Sequence, residues 1–177
     1  ELSVDDEGRS TLTVLSGDLG TLGSVGDNAF HVVTIDNAGT STILDGFTVT
    51  LGYVMEADGN AFGGGFYITN SSPTLNNLII SNNQAGNTIG SGGGGMFIND
   101  TDTGTGVISP IITDVTFINN RSGRGGGLFS QNSNPHLTNV TFDSNEAIAT
   151  GGGGMNSQTV GSFDPPIDPV LTNVTFI

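Results

Sequence analysis

The chain has 177 residues, about one ordinary domain, and carries a formal net charge of -14: 17 Asp and Glu stand against three basic residues, Arg9, Arg121 and Arg124. That balance excludes a surface built for nucleic acid or an anionic membrane, because phosphate binding needs clustered cations. The absence of Cys removes disulfide frameworks and thiolate zinc sites, and no run reaches the ~18 apolar residues of a membrane span.

Gly, Thr, Asn and Ser make up nearly half the sequence, yet Val, Ile, Leu, Phe and Met fall in short alternating runs. Such runs point to repeatedly paired strands rather than to disorder. No basic start followed by an apolar stretch marks a signal peptide. The chain begins at Glu1 without an initiator Met and is expected to be part of a longer chain or assembly.

In chain order, residues 12–62 read as irregular first turns of a single segment spanning 1–177. They hold Leu15-Ser16-Gly17-Asp18, Asn28-Ala29-Phe30-His31-Val32-Val33 and the triplet Leu44, Phe47, Val49, spaced apolar-x-x-apolar-x-apolar. Residues 63–177 are glycine-rich repeats. Runs at Gly63 to Gly65, Gly92 to Gly95, Gly125 to Gly127 and Gly151 to Gly154 are each followed by a large apolar residue: Phe66, Met96, Leu128 and Met155, spaced 30, 32 and 27 residues apart. The earlier triplet recurs after each run, as Leu75, Leu78, Ile80; Ile112, Val115, Phe117; Leu137, Val140, Phe142; and Leu171, Val174, Phe176.

Strict alternation would leave one residue between inward side chains, so the two-residue gap must absorb an extra residue at a bend. Asn77, Asp114, Asn139 and Asn173, with Gly46 in the first copy, occupy the second gap position. These residue types enter the left-handed region most cheaply. A second corner is expected three residues after the last apolar one, at Asn83, Asn120 and Asn145.

Units of 25 to 37 residues with short strands and no helical period cannot close their own core, but stacked copies can. The expected fold is all-β, a parallel β-solenoid of about four to five turns. At about 4.8 Å per turn it would be a rod roughly 20 to 25 Å tall.

The pairing of glycine runs with Phe117-Ile118-Asn119-Asn120 and Phe142-Asp143-Ser144-Asn145 resembles the repeats of chlamydial polymorphic outer membrane proteins. More broadly, it resembles the pectin-lyase-like right-handed β-helix repeats of large bacterial surface proteins, over residues 12–177. The resemblance implies a right-handed parallel β-helix, a place outside the bacterial cell or on its surface, and a scaffold without catalysis that is structural or adhesive. Partners implied are further turns of a longer solenoid, other copies joined end to end into a fibre, or a glycan or host surface protein. A polysaccharide-lyase-like, carbohydrate-binding or carbohydrate-active helix is the alternative.

Candidate site residues follow from the register. Tyr67, Phe97 and Phe129 each follow an inward anchor, so they should point outward and stack as an aromatic ladder, either exposed for sugar rings or a partner or lying beneath an insertion folded over it. Asp100 and Asp102, within Asn99-Asp100-Thr101-Asp102-Thr103-Gly104, offer alternating oxygens that would suit calcium, although no bidentate Glu closes the loop. No other cofactor is expected. Asp100 with Asp102, and Asp164 with Asp168, are near enough in sequence to be paired carboxylates, in insertions where solvated acids are the norm. Arg121 should stack against Glu146 of the next turn. His136 is expected to face solvent, and His31 lies in an early strand. Thr113, Thr138, Thr172 and Thr116, Thr141, Thr175 form two short files. Asn-x-Ser/Thr triplets begin at Asn70, Asn99, Asn120, Asn139 and Asn173.

Overall fold

The computed structural model describes residues 13–54, 61–102, 107–161 and 166–177. Its strands form four sheets in which every paired neighbour is parallel, a parallel β-helix with no helix longer than the 3-10 turn Val25–Asp27 among the described residues. Sheet 1 stacks Thr13–Ser16, Phe47–Thr50, Ile79–Ser81, Thr116–Ile118, Thr141–Asp143 and Thr175–Phe176. Sheet 2 stacks Val33–Asp36, Phe66–Thr69, Met96–Asn99, Leu128–Gln131 and Met155–Gln158. Sheet 3 comprises Ile43–Asp45, Thr74–Asn76, Ile111–Thr113, His136–Thr138 and Val170–Thr172. The narrow sheet 4 holds Tyr53–Val54, Gln84–Ala85, Arg121–Ser122 and Glu146–Ala147. Each turn runs through sheets 2, 3, 1 and 4 before a glycine run returns it to sheet 2.

The repeat spacing becomes vertical register. Val33, Phe66, Met96, Leu128 and Met155 are direct neighbours up sheet 2. Leu44, Leu75, Ile112, Leu137 and Leu171 do the same in sheet 3. In sheet 1 the column is Val49, Ile80, Phe117, Phe142 and Phe176. Phe117 and Phe142 stack with centroids 4.8 Å apart, and Phe142 and Phe176 at 4.9 Å, with ring planes within 12° and 5°. The middle turns bury these side chains completely, at roughly 1.5 to 3 kcal/mol each relative to exposure.

The bends between sheets 3 and 1 are left-handed at Gly46, Asn77, Asp114, Asn139 and Asn173, with φ between 50° and 80°. A further bend follows sheet 2 at Asn37, Asn70 and Asn132, with φ of 50°, 47° and 53°. Each of these is the fourth residue after its anchor (Val33, Phe66, Leu128), and Asp100 occupies the same place after Met96.

The corner after sheet 1 departs from the expected placement by one residue. The left-handed residues are Asn82, Asn119 and Ser144, with φ of 54°, 54° and 52°. Asn83, Asn120 and Asn145 turn inward instead and form an amide ladder. Asn83 Nδ2 donates to Asn120 Oδ1 at 3.0 Å, and Asn120 Nδ2 donates to Asn145 Oδ1 at 2.9 Å. The second amide hydrogens go to the carbonyls of Val49 and Ile80 in the turn below, while Asn120 Oδ1 also accepts from the backbone N–H of Asn83 at 3.1 Å. Asn120 thus fills both donor and both acceptor positions of its amide. The physical reason is that a corner breaks the backbone ladder, and the buried groups it strands need partners.

The glycine runs make room for this ladder. A Cβ on Gly95 would lie 2.6 Å from the Gly127 carbonyl oxygen and 3.0 Å from the Asn120 amide carbon.

Candidate functional site

The outward face of sheet 2 carries two columns. One runs Thr34, Tyr67, Phe97, Phe129, Asn156; the other runs Asp36, Thr69, Asn99, Gln131, Gln158. Tyr67 and Phe97 lie 5.5 Å apart, as do Phe97 and Phe129, so the rings form a continuous stack. His31 extends it below, 4.7 Å from Tyr67, with Nδ1–H donating to the Gly63 carbonyl at 2.9 Å.

The stack is not an exposed platform. Phe97 is 2% exposed and Phe129 is fully buried, leaving only Tyr67 half-buried. Phe62, held by a parallel bridge to Gly92, stacks over Phe97 at 4.4 Å. Gly92 passes so close to Phe129 that a Cβ would fall 2.3 Å from the ring. The Arg124 guanidinium covers the remaining side, 4.7 Å from the Phe129 centroid. The chain approaching Phe66 and Met96 therefore lies against rings of the turns above, and Arg124 against Phe129 of its own turn, because three large rings on an outer face leave too much apolar surface in water. Burial raises the Tyr67 phenol above its ordinary value near 10, and the Asp36 carboxylate adds to the shift.

Arg124 donates from Nη1 to Gln158 Oε1 at 2.8 Å, and Gln158 Nε2 donates to Gln131 Oε1 at 3.4 Å. Arg124 Nε is buried without a hydrogen-bond partner, and so is Asn99 Oδ1.

The two acids picked out for calcium stand in an insertion whose residues 103–106, including Thr103 and Gly104, lie outside the described residues. Asp100 is buried, with Oδ1 accepting from the Asp102 N–H at 2.9 Å and Oδ2 from the Ile108 N–H at 3.1 Å. Its oxygens clasp the two ends of the insertion. Asp102 is exposed. Among the described residues no group of three or more His, Asp or Glu could hold a metal ion. Asp164, like Arg9, lies outside the described residues, and Asp168 is exposed.

Arg121 Nε meets Glu146 Oε2 at 2.8 Å across one turn of sheet 4, with both side chains well exposed. His136 is exposed between Ile111 and Val170 on sheet 3. Thr116, Thr141 and Thr175 are neighbours in sheet 1, and Thr113, Thr138 and Thr172 in sheet 3, on opposite sides of the left-handed bend. Of the Asn-x-Ser/Thr triplets, the one at Asn120 is buried in the ladder, while Asn139 and Asn173 are exposed.

Sequence reasoning held an insertion folding over the rings open and did not identify Phe62 and Arg124 as the cover. The one available signal was that every outward aromatic is preceded by glycines small enough to let a chain pass over it.

Over 107 residues, 59% of this chain, the sequence is 30% identical to a protein of Escherichia coli (strain K12) described as a probable autotransporter, YfaL. The match spans 8% of that protein's length. No protein-family model matches the chain, and no solved structure does. No helix among the described residues is long and apolar enough to cross a membrane.

Proposed function

We propose that this chain is a stretch of a β-helix displayed on a bacterial surface or secreted from it, where it acts as a stiff spacer and presenting scaffold without catalysis. The observation that carries the reading is the unbroken vertical register of four sheets, joined to the similarity with a protein described as a probable autotransporter. Both carboxylate oxygens of Asp100 are taken by backbone amides, and the aromatic stack is covered.

The last described turn leaves Leu171 and Phe176 44% and 54% exposed, whereas Leu137 and Phe142 one turn inward are buried. A further turn in the same register, from this chain or from a second copy, would cover them and pair the bare strand edges.

Antibody labelling of intact and permeabilised cells of the source bacterium tests the location. Labelling of intact cells is expected, and labelling only after permeabilisation would overturn it. Incubation with acidic polysaccharide should release no unsaturated uronate, and turnover abolished by Arg121→Ala would favour the lyase-like alternative.

A further inference from the structure

We infer that the loop 17–30 and the adjoining Leu51 form a docking surface for a basic amphipathic segment of a partner protein, an apolar stripe bordered by Lys or Arg. The assignment goes beyond the presenting role and stands wherever the protein resides. The loop is tied at its base, where the Ala29 N–H donates to the Gly17 carbonyl at 2.8 Å and the Gly17 N–H to the Thr50 carbonyl at 2.8 Å. Within it the Asp27 carboxylate accepts from the Thr21 N–H at 2.8 Å, the Asp18 carboxylate from the Gly23 N–H at 3.1 Å, and the Thr21 carbonyl from the Ser24 N–H at 2.9 Å. A loop ordered this well could turn its apolar side chains inward. It displays them instead: Leu19, Leu22, Val25 and Phe30 are 53%, 91%, 54% and 58% exposed. Apolar side chains gathered in water on an ordered surface mark an interaction site.

Leu51 is an independent sign. It stands at the base of the loop, with its carbonyl accepting from Asn28 Nδ2 at 2.8 Å. Its φ of 62° falls at the corner after sheet 1, where the later turns place Asn82, Asn119 and Ser144. The left-handed angle is costly for leucine, whose side chain has no local hydrogen bond to give in return, and Leu51 remains 36% exposed. Strain kept where packing does not need it points to function.

Charge selects the partner. No Lys or Arg lies between Arg9 and Arg121, and the apolar run from Leu19 to Val25 has Asp18 at one end and Asp27 at the other. Each copy carries a net charge of -14, so a second copy is repelled. A stripe of apolar residues with cations beside it matches both the side chains and the carboxylates that flank them.

Titration of the full chain with three synthetic peptides tests the surface: an amphipathic Leu/Lys helix, its Leu/Glu counterpart, and a Ser/Lys peptide of the same length and charge. The Leu/Lys peptide should bind saturably, and the other two about tenfold or more weakly. Leu22→Ser should weaken Leu/Lys binding about tenfold, as loss of a central apolar anchor does. Leu51→Asn should weaken it severalfold while raising the melting temperature, a split that a purely structural leucine would not produce. Thermal melting of each variant reports its folding. Wild-type binding of Ser/Lys as tight as that of Leu/Lys, or equal Leu/Lys binding by folded Leu22→Ser, would overturn the docking surface. Leu51→Asn that melts lower than the wild type, or binds as tightly, would overturn the part given to Leu51. Dimers of the wild-type chain in sedimentation that Leu22→Ser abolishes would overturn the choice of partner in favour of a second copy.

Discussion

Two files of asparagine run along the helix axis a few residues apart, and they do different work. Asn83, Asn120 and Asn145 have ordinary backbone angles and spend their side chains inside, where each amide links neighbouring turns. Asn77, Asn139 and Asn173, with Asp114, are exposed or nearly so and spend their backbones, taking the left-handed bend between sheets 3 and 1. They too touch along the axis: Asn139 Nδ2 donates to Asp114 Oδ1 at 2.9 Å, and Asn173 Nδ2 to Asn139 Oδ1 at 2.8 Å. Water competes for those bonds and not for the inner ones, so the same residue type should matter for different reasons in the two files.

The sharpest way to break that contrast is Asn120→Ala. It strands the Ile80 carbonyl, the Asn83 N–H and one Asn83 amide hydrogen in the interior. At about 1 to 3 kcal/mol per buried unsatisfied group, the urea midpoint should fall far more than for any corner substitution; a change as small as that of Asn139→Gly would show the inner ladder to be ornamental.

At the outer file, Asn139→Val should cost about 1 to 2 kcal/mol through the left-handed angle alone. Asn139→Gly, which accepts φ of 55° without strain, should be close to neutral. Equal losses would mean that the exposed amide bonds, not the backbone, carry the corner.

A smaller effect comes from Tyr67. Its folded phenol titrates above the unfolded value near 10, so above pH ~10 the unfolded chain loses its proton first. The contribution of Tyr67 is therefore fully present below pH ~10 and is lost as pH rises through the folded value. Alkaline melting should fall less steeply in Tyr67→Phe than in the wild type.

Smallest of all, Arg121→Ala removes an exposed pair worth at most about 1 kcal/mol, and its effect should fade with added salt.

The register was legible because stacking makes sequence period and spatial neighbour the same thing: Phe66, Met96, Leu128 and Met155 could be aligned by their glycines alone. The bend at Asn139 was legible because a two-residue gap in an alternating pattern demands an extra residue. In contrast, the fate of Asn119 and Asn120 could not be told apart from adjacent asparagines, since which one bends and which turns inward depends on stranded carbonyls in the turn below. The aromatic file was legible as a stack of outward rings that is either exposed or covered, but the residues that cover it were not. Its cover comes from Phe62 and Arg124, whose positions depend on how each glycine run returns to sheet 2.

The stacked register can be tested directly, because the chain has no Cys and an engineered pair would report on nothing else. Thr116 and Thr141 are direct outward neighbours in sheet 1, at a strand separation of about 4.8 Å that lies within disulfide reach. Oxidation of Thr116→Cys/Thr141→Cys should form an intramolecular disulfide in nearly every molecule, read as a mass loss of two hydrogens, while Thr116→Cys/Thr175→Cys, two turns apart, should form none. Equal yields from the two pairs, or no bond in the first, would contradict the stack.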